Sequence, residues 1–165
     1  MTGCLAFPNH PEIIKSLRRL ASTGAYRQTY SFSSAITIAI HRGRPIPREL
    51  VDSTITATAF QPPAAIHVLL SLCKTLAEAD LLTEADVSIL ESVLDDLWTR
   101  LDYTALAEPG VTAMQTMISA SLTRAAGVGL AEVLGRKGIT EDTIARWRRC
   151  VDTDPLPEVR HALND

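Results

Sequence analysis

The clearest hydrophobic pattern in the chain lies between residues 82 and 102, where apolar side chains recur every three or four positions. They form one stripe of a helix: Val87, Leu90, Leu94, Leu97 and Leu101. Thr83 stands at the N-cap position, and Asp86 three residues later completes a near capping box. The opposite side belongs in water or against a basic partner, and it carries Glu84, Glu91, Asp95, Asp96 and Arg100. A helix with one apolar stripe is not stable alone, so neighbouring segments must cover it.

Similar spacing predicts helices along most of the remaining chain. They cover residues 10–24, 31–42, a segment after Pro47, residues 64–78, residues 111–126 and a segment after Thr140. In the segment after Pro47, one side is apolar or carries threonine: Leu50, Val51, Thr54, Ile55 and Thr58. Residues 64–78 are apolar almost all round, which predicts the central buried helix. Four glycines predict a loosened stretch with only a short helical piece over 130–134: Gly127, Gly129, Gly135 and Gly138.

Two segments also fit β-strands. Residues 36–40 alternate between isoleucine and smaller residues, and residues 53–60 are rich in β-branched side chains. A hairpin-like pair is therefore the alternative to helices at these positions. Because Pro47 suits a first helical turn, helices are the preferred interpretation.

The composition supports an all-α fold. The 165-residue chain is 46% hydrophobic but only 5% aromatic, so its core must be built from alanine and aliphatic side chains. We expect a single helical domain over residues 1–165, either a helix-pair α-solenoid or a compact bundle of about seven or eight helices. The longest apolar run, residues 64–72, is too short to span a bilayer. Three cysteines without paired spacing predict reduced thiols, a buried Cys73 and a cytoplasmic location.

An acid followed by an aliphatic residue recurs every 37 residues. The pairs begin at Glu12, Glu49 and Asp86, so that 49 − 12 and 86 − 49 are both 37. Each pair opens what would be the first of two helices. A repeat of two helices at this length is typical of an α-solenoid. The next repeat would begin near Thr123, where no such pair occurs.

The last residues carry a second, independent sign of helical repeats. Residues 154–163, DPLPEVRHAL, contain an Asp-Pro pair, then Glu158, Val159 and Arg160, followed by alanine and leucine. This pattern resembles the start of a HEAT repeat. Since the earlier helices lack the Val-Arg pair, the resemblance implies a loose HEAT-like or armadillo-like relationship. The repeat would be cut off after Asp165, which predicts a fragment of a longer protein or a helix that a neighbour completes.

Charge is strongly segregated, although the net charge is only −3. Residues 13–48 contain no acid, and they carry the seven basic residues that we predict as a binding surface: Lys15, Arg18, Arg19, Arg27, Arg42, Arg44 and Arg48. Tyrosines lie among them, a combination that suits phosphate contacts, base stacking or an acidic protein. The simpler alternative is a solvated helix face with cations near helix ends, where the helix dipole favours them. Residues 78–108 reverse the balance, with nine acids and one arginine.

No pattern of catalytic or metal-ligating residues emerges. Glu91, Asp95 and Asp96 could hold a divalent cation, but adjacent residues point apart on a helix, so a solvated face is the stronger interpretation. The six-residue separation of His67 and Cys73 does not bring them together on one helix. Gly127 and Gly129 lack the spacing of a nucleotide-binding loop, and Trp147 in register with Ile144 is expected in the core. We therefore expect neither a cofactor nor a metal, and we lean against an enzyme.

Together, these features favour a non-catalytic interaction module that binds a protein partner, or other copies of itself, through a helical-repeat surface. Ligands of solenoids usually lie on the concave face formed by second helices, which would place Arg42, His67 and Arg124 near it. The alternative is a helical domain that binds nucleic acid through the seven basic residues. A third possibility is that basic and acidic ends of neighbouring chains meet head to tail.

Overall fold

A computed structural model describes residues 11–22, 26–60, 63–100 and 113–152 of the chain. Within these ranges the regular structure is entirely helical: α1 (Pro11–Ser22), α2 (Tyr26–His41), α3 (Arg48–Phe60), α4 (Pro63–Glu78), α5 (Glu84–Arg100), α6 (Ala113–Gly135) and α7 (Glu141–Asp152). The all-α prediction is confirmed. The strand alternative is wrong, since residues 36–40 lie in α2 and residues 53–60 lie in α3.

The threonines of α3 explain why a β-branched segment is helical. Thr54 and Thr58 are buried, and each hydroxyl donates to the carbonyl oxygen four residues earlier, at 2.8 and 2.7 Å. The hydroxyl hydrogens are therefore satisfied within the helix, and only the methyl groups need apolar neighbours. Burial of the side predicted from the sequence then stabilises the helix: Leu50, Val51, Thr54, Ile55 and Thr58 are all buried.

The contacts divide the chain into two compact units, unit 1 (Met1–Leu82) and unit 2 (Thr83–Asp165). In unit 1, α1 contacts α2 and α3, and α4 contacts the same two helices. The helices therefore form two layers, one of α1 with α3 and one of α2 with α4. The most apolar helix, α4, supplies much of the core, and its predicted burial is confirmed for Ile66, Leu69, Leu70, Leu72, Cys73 and Leu76. It is not central, however, because like α1 it packs on two helices and leaves Ser71 and Glu78 exposed.

Helices α2 and α4 correspond at a displacement of 37 residues. Both bounds of α4 lie 37 positions after those of α2, from 26 to 63 and from 41 to 78. Each buried position of α2 corresponds in the same way to a buried position of α4: 29 and 66, 32 and 69, 33 and 70, 35 and 72, 36 and 73, 39 and 76.

The two helices also end alike. Arg44 N–H donates to the Ala39 carbonyl, and 37 residues later Leu81 N–H donates to the Leu76 carbonyl, at 2.9 and 3.0 Å. Gly43 and Asp80 occupy the intervening position with φ of 64° and 58°. Both helices therefore finish in a left-handed Schellman turn, where glycine is the usual residue and aspartate is tolerated.

In unit 2, each of the helices α5, α6 and α7 contacts the other two. The predicted start of α5 is confirmed, because Thr83 N–H donates to Asp86 Oδ2 at 2.8 Å and Asp86 N–H donates to Thr83 Oγ1 at 3.3 Å. These reciprocal bonds form a complete capping box. The predicted stripe is also buried over its described part, Val87, Leu90, Leu94 and Leu97.

The prediction that glycines loosen the chain after residue 126 is wrong, because α6 continues without a break to Gly135. A Cβ at Gly127 would overlap the ring of Trp147, and a Cβ at Gly135 would lie 2.6 Å from Ile144 Cδ1. The two glycines thus let α7 pack closely against α6. This packing offsets the cost of glycine within a helix, about 1 kcal/mol each.

Several sequence-based predictions lie outside the described residues: the end of the first helix at residue 24, Leu101 of the predicted apolar stripe and the HEAT-like residues 154–163. The prediction of a single domain stays a prediction, as does the cytoplasmic location. Of the helices in the described ranges, none combines the length and hydropathy needed to cross a bilayer.

Candidate functional site

The outward side of α2 is the most distinctive surface of unit 1. It presents Tyr30 and Ile38, whose side chains are 56% and 39% exposed, with the half-buried Ser34 between them. Arg27 and Arg42 are exposed near its two ends. These five residues lie within one third of the helical circumference, and we name them the α2 strip. An aromatic and an aliphatic side chain flanked by cations can bind an apolar and acidic protein surface.

The corresponding surface of α4 is more polar. Thirty-seven residues after Tyr30 stands the half-buried His67, and after Ser34 stands the exposed Ser71. Lys74 Nζ lies 3.7 Å from Glu78 Oε1, so this helix carries its own counter-charge. Burial lowers the pKa of His67 below its ordinary value of 6.5, because the neutral imidazole loses less hydration. Cations without acids on the same helix thus distinguish α2 from α4.

All seven basic residues predicted as a binding surface are exposed, but the structure places them in separate groups. Lys15, Arg18 and Arg19 share one side of α1. Arg27 stands at the start of α2, about 22 Å along the helix from Arg42. Arg44 follows α2, and Arg48 opens α3, where its Nη2 lies 2.7 Å from Asp52 Oδ1. The charge pattern therefore identified exposed residues without revealing their grouping.

The three residues expected near a concave face have different environments. Arg42 is exposed on the α2 strip and His67 is half-buried on α4, so both lie in the layer that α2 and α4 form in unit 1. Arg124 belongs to unit 2, and only 7% of its surface is exposed. Arg124 is therefore part of the interior of its own unit rather than an open cationic surface.

The acidic side of α5 is used within unit 2. Thr140 N–H and Thr140 Oγ1–H both donate to Glu91 Oε1, at 2.8 and 2.9 Å. Thr143 Oγ1 donates to Asp95 Oδ1 at 3.2 Å, and Arg146 Nη2 lies 3.0 Å from the same oxygen. Glu91 and Asp95 thus bind the N-terminus of α7, where its exposed N–H groups and dipole favour carboxylates.

These contacts decide between the alternatives for the acidic residues. Glu91 and Asp95 face a threonine pair and an arginine of the same chain, so this side of α5 is not simply solvated. Across the described ranges, no group of three or more His, Cys, Asp or Glu side chains is arranged to hold a metal ion. Cys73 is a buried free thiol with Thr58 Oγ1 3.4 Å from its sulfur, which gives it a packing role.

The charge segregation of the sequence coincides with the boundary between the units. Residues 1–82 contain eight basic and five acidic residues, a net charge of +3, whereas residues 83–165 contain eight basic and fourteen acidic residues, a net charge of −6. The sum is the −3 of the whole chain. The two units therefore carry net charges of opposite sign.

Comparison of the chain with protein-family models, with curated proteins and with solved structures finds no match. Two features of the candidate site escaped prediction from the sequence, namely the apolar pair Tyr30 and Ile38 on the outside of α2 and the binding of α7 by Glu91. Equivalent 37-residue positions could have revealed the first, because Tyr30 aligns with a polar residue, His67.

Proposed function

We propose that this chain is a non-catalytic interaction module that binds a protein partner through the α2 strip. The single observation that supports this most is the correspondence of α2 with α4 in bounds, buried positions and C-terminal turns. Two helix pairs stacked in this way are the elementary unit of HEAT-like and armadillo-like solenoids. In such proteins the layer of second helices, here α2 and α4, is the usual binding surface.

The chemistry of the α2 strip supports a protein as the ligand. Tyrosine and arginine are enriched among residues that dominate binding energies at protein interfaces. Here Tyr30 and Ile38 supply apolar area, while Arg27 and Arg42 lie near the ends of the same helix. With no acid between Ile13 and Arg48, the flanking cations favour an acidic partner.

Site-specific photo-crosslinking tests this proposal. A photoreactive side chain replaces Ser34, at the centre of the α2 strip, in the full chain inside producing cells. The matched control places the same group at Thr56, which is exposed on α3 in the other layer. We expect a discrete adduct from position 34 only, and its loss with the additional substitutions Tyr30→Ala and Ile38→Ala. Equal adducts from both positions, or none from position 34, would contradict the proposal.

A second candidate function is nucleic-acid binding, which the exposure of all seven basic residues favours. Phosphate contacts release counterions, so such binding falls steeply as salt rises. Fluorescence anisotropy with single- and double-stranded oligonucleotides at low and moderate salt measures it. Loss of salt-sensitive binding in Arg42→Glu with Arg44→Glu would support this candidate, and absence of binding at low salt would eliminate it.

A further inference from the structure

The outward surfaces of α2 and α4 lie side by side in unit 1. The two helices contact each other, and each buried position of α2 has a buried equivalent on α4, so their outward positions face the same side of the layer. The axes of packed helices are about 8–10 Å apart, and a helix with its side chains is about 10 Å wide. One further helix therefore fits along the furrow between α2 and α4.

The two sides of this furrow differ in polarity. On α2, Tyr30 and Ile38 are exposed, whereas their equivalents on α4 are the polar and half-buried His67 and Thr75. A helix in the furrow meets apolar groups on the side of α2, and an imidazole and a hydroxyl group on the side of α4. The occupant that matches both sides is an amphipathic helix with its aliphatic side chains towards α2.

The charges of the α2 strip determine which residues the occupant carries near its ends. Arg27 lies seven positions before Ser34 and Arg42 eight positions after it, and α2 contains no acid. Seven positions are about two helical turns and return to the same side, and the eighth adds about 80°, which a long arginine side chain can span. A complementary helix therefore needs acids about seven positions to each side of the residue above Ser34. Acids at this spacing share one face with that central residue.

We infer that the α2 strip binds an acidic amphipathic helix of the partner protein, with an aliphatic residue above Ser34 and acids about seven positions to each side of it. This inference rests on the proposed function, because it names the kind of partner that the same surface binds. The small side chain of Ser34 leaves room for the aliphatic residue between Tyr30 and Ile38, as a hole receives a knob. An extended peptide is a poorer match, since the regular structure of the described ranges is entirely helical and offers it no sheet edge.

Fluorescence anisotropy of three labelled synthetic peptides with the full chain tests this inference. The first peptide has a central leucine, further leucines one helical turn to each side, glutamates two turns to each side and alanines elsewhere to favour a helix. The second has lysines in place of the two glutamates. The third has proline next to the central leucine, which breaks the helix. At low salt, we expect the first peptide to bind at least about tenfold more tightly than either of the others.

Variants of the chain locate the binding on the α2 strip. Arg27→Glu with Arg42→Glu should exchange the preference, so that the lysine peptide binds more tightly than the glutamate peptide. The control, Lys15→Glu with Arg18→Glu, changes the net charge equally but lies on α1, so it should keep the original preference. Equal binding of the glutamate and lysine peptides, equal binding of the proline peptide, or no exchange of preference in the first variant would each overturn the inference.

The crosslink from position 34 separates failure of this inference from failure of the proposed function. Mass spectrometry of the adduct identifies the attached partner residue, which should lie in an amphipathic segment with acids about seven positions to each side. An adduct with a protein segment that lacks those acids overturns the inference and leaves the proposed function standing. Absence of any adduct from position 34 overturns both.

Discussion

The C-terminal ends of α2 and α4 in unit 1 are specified locally, whereas the start of α7 in unit 2 is specified at long range. Helices α2 and α4 finish on hydrogen bonds between residues three to five positions apart, repeated after 37 residues. Helix α7 instead begins on a carboxylate from α5, 49 residues earlier in the chain. The α5 capping box uses its own Asp86 to bind Thr83, whereas Thr140 is bound by Glu91 of a neighbouring helix. A helix end that is formed by neighbouring residues can be recognised in a sequence. An end that another helix completes can be recognised only once the fold is known.

The largest effect on stability is expected when the side chain on which the packing of unit 2 depends is removed. Trp147 is 1% exposed and its ring lies against Gly127. We expect Trp147→Ala to lower the free energy of unfolding by about 3–5 kcal/mol, through lost burial and the cavity that remains. Urea unfolding followed by circular dichroism measures it, with exposed Ala145→Ser on the same helix as the control. A loss below about 1 kcal/mol would show that the close packing of α6 on α7 is not formed.

The glycine beneath that ring gives a second test. Gly127→Ala should destabilise by about 1–3 kcal/mol, because the added methyl overlaps the ring of Trp147. In a Trp147→Ala background the overlap disappears, and the same substitution should stabilise by up to about 1 kcal/mol through helix propensity. This reversal of sign is measured by the same unfolding experiment in a double-mutant cycle. Equal effects in both backgrounds would contradict the close approach.

These two residues also show what the sequence can and cannot predict. Trp147 was correctly placed in the core because Ile144 shares its helical face, which is a local property. Gly127 was wrongly predicted to loosen the helix. Its role is to leave room for the ring of Trp147, and that ring comes from another helix. In the candidate site, the lack of acidic residues between positions 13 and 48 correctly predicted that the arginines there are exposed. Their separation into groups depends on the helix bounds and packing, which charge alone does not specify.

Removal of the long-range cap should have a smaller effect. Glu91→Ala takes away the acceptor of Thr140 N–H and Thr140 Oγ1–H, and we expect a loss of about 0.5–2 kcal/mol. Glu84→Ala removes the same charge from an exposed position and should cost about 0.5 kcal/mol. A double-mutant cycle with Thr140→Val measures the coupling. Strict additivity of Glu91→Ala and Thr140→Val would show that the bond from the Thr140 hydroxyl to Glu91 contributes nothing to stability, since the backbone N–H of residue 140 is kept in the valine variant.

The two equivalent turns of unit 1 permit an exchange experiment. Gly43 and Asp80 both have positive φ, but only glycine adopts this conformation without steric cost. Gly43→Asp should therefore destabilise, and Asp80→Gly should stabilise, each by about 1 kcal/mol. The double variant should return close to the original stability in urea unfolding. Opposite signs at the two positions are the decisive result, and equal signs would mean that the two turns are not equivalent.

The smallest expected effect is on the pH dependence of stability, and it concerns the outward sides of α2 and α4, where Tyr30 corresponds to His67. Burial lowers the pKa of His67 in the folded chain below the 6.5 of the exposed side chain. The unfolded chain then binds more protons as the pH falls through 6.5, so this residue reduces stability as the pH falls towards its folded pKa. His67→Tyr, which copies the residue of α2, should remove that contribution. Unfolding free energies at a series of pH values should therefore fall less steeply for the variant on the acidic side of 6.5. Identical slopes would show that His67 protonates equally in the folded and unfolded chains, and hence that this part of α4 is as open to water as the α2 strip.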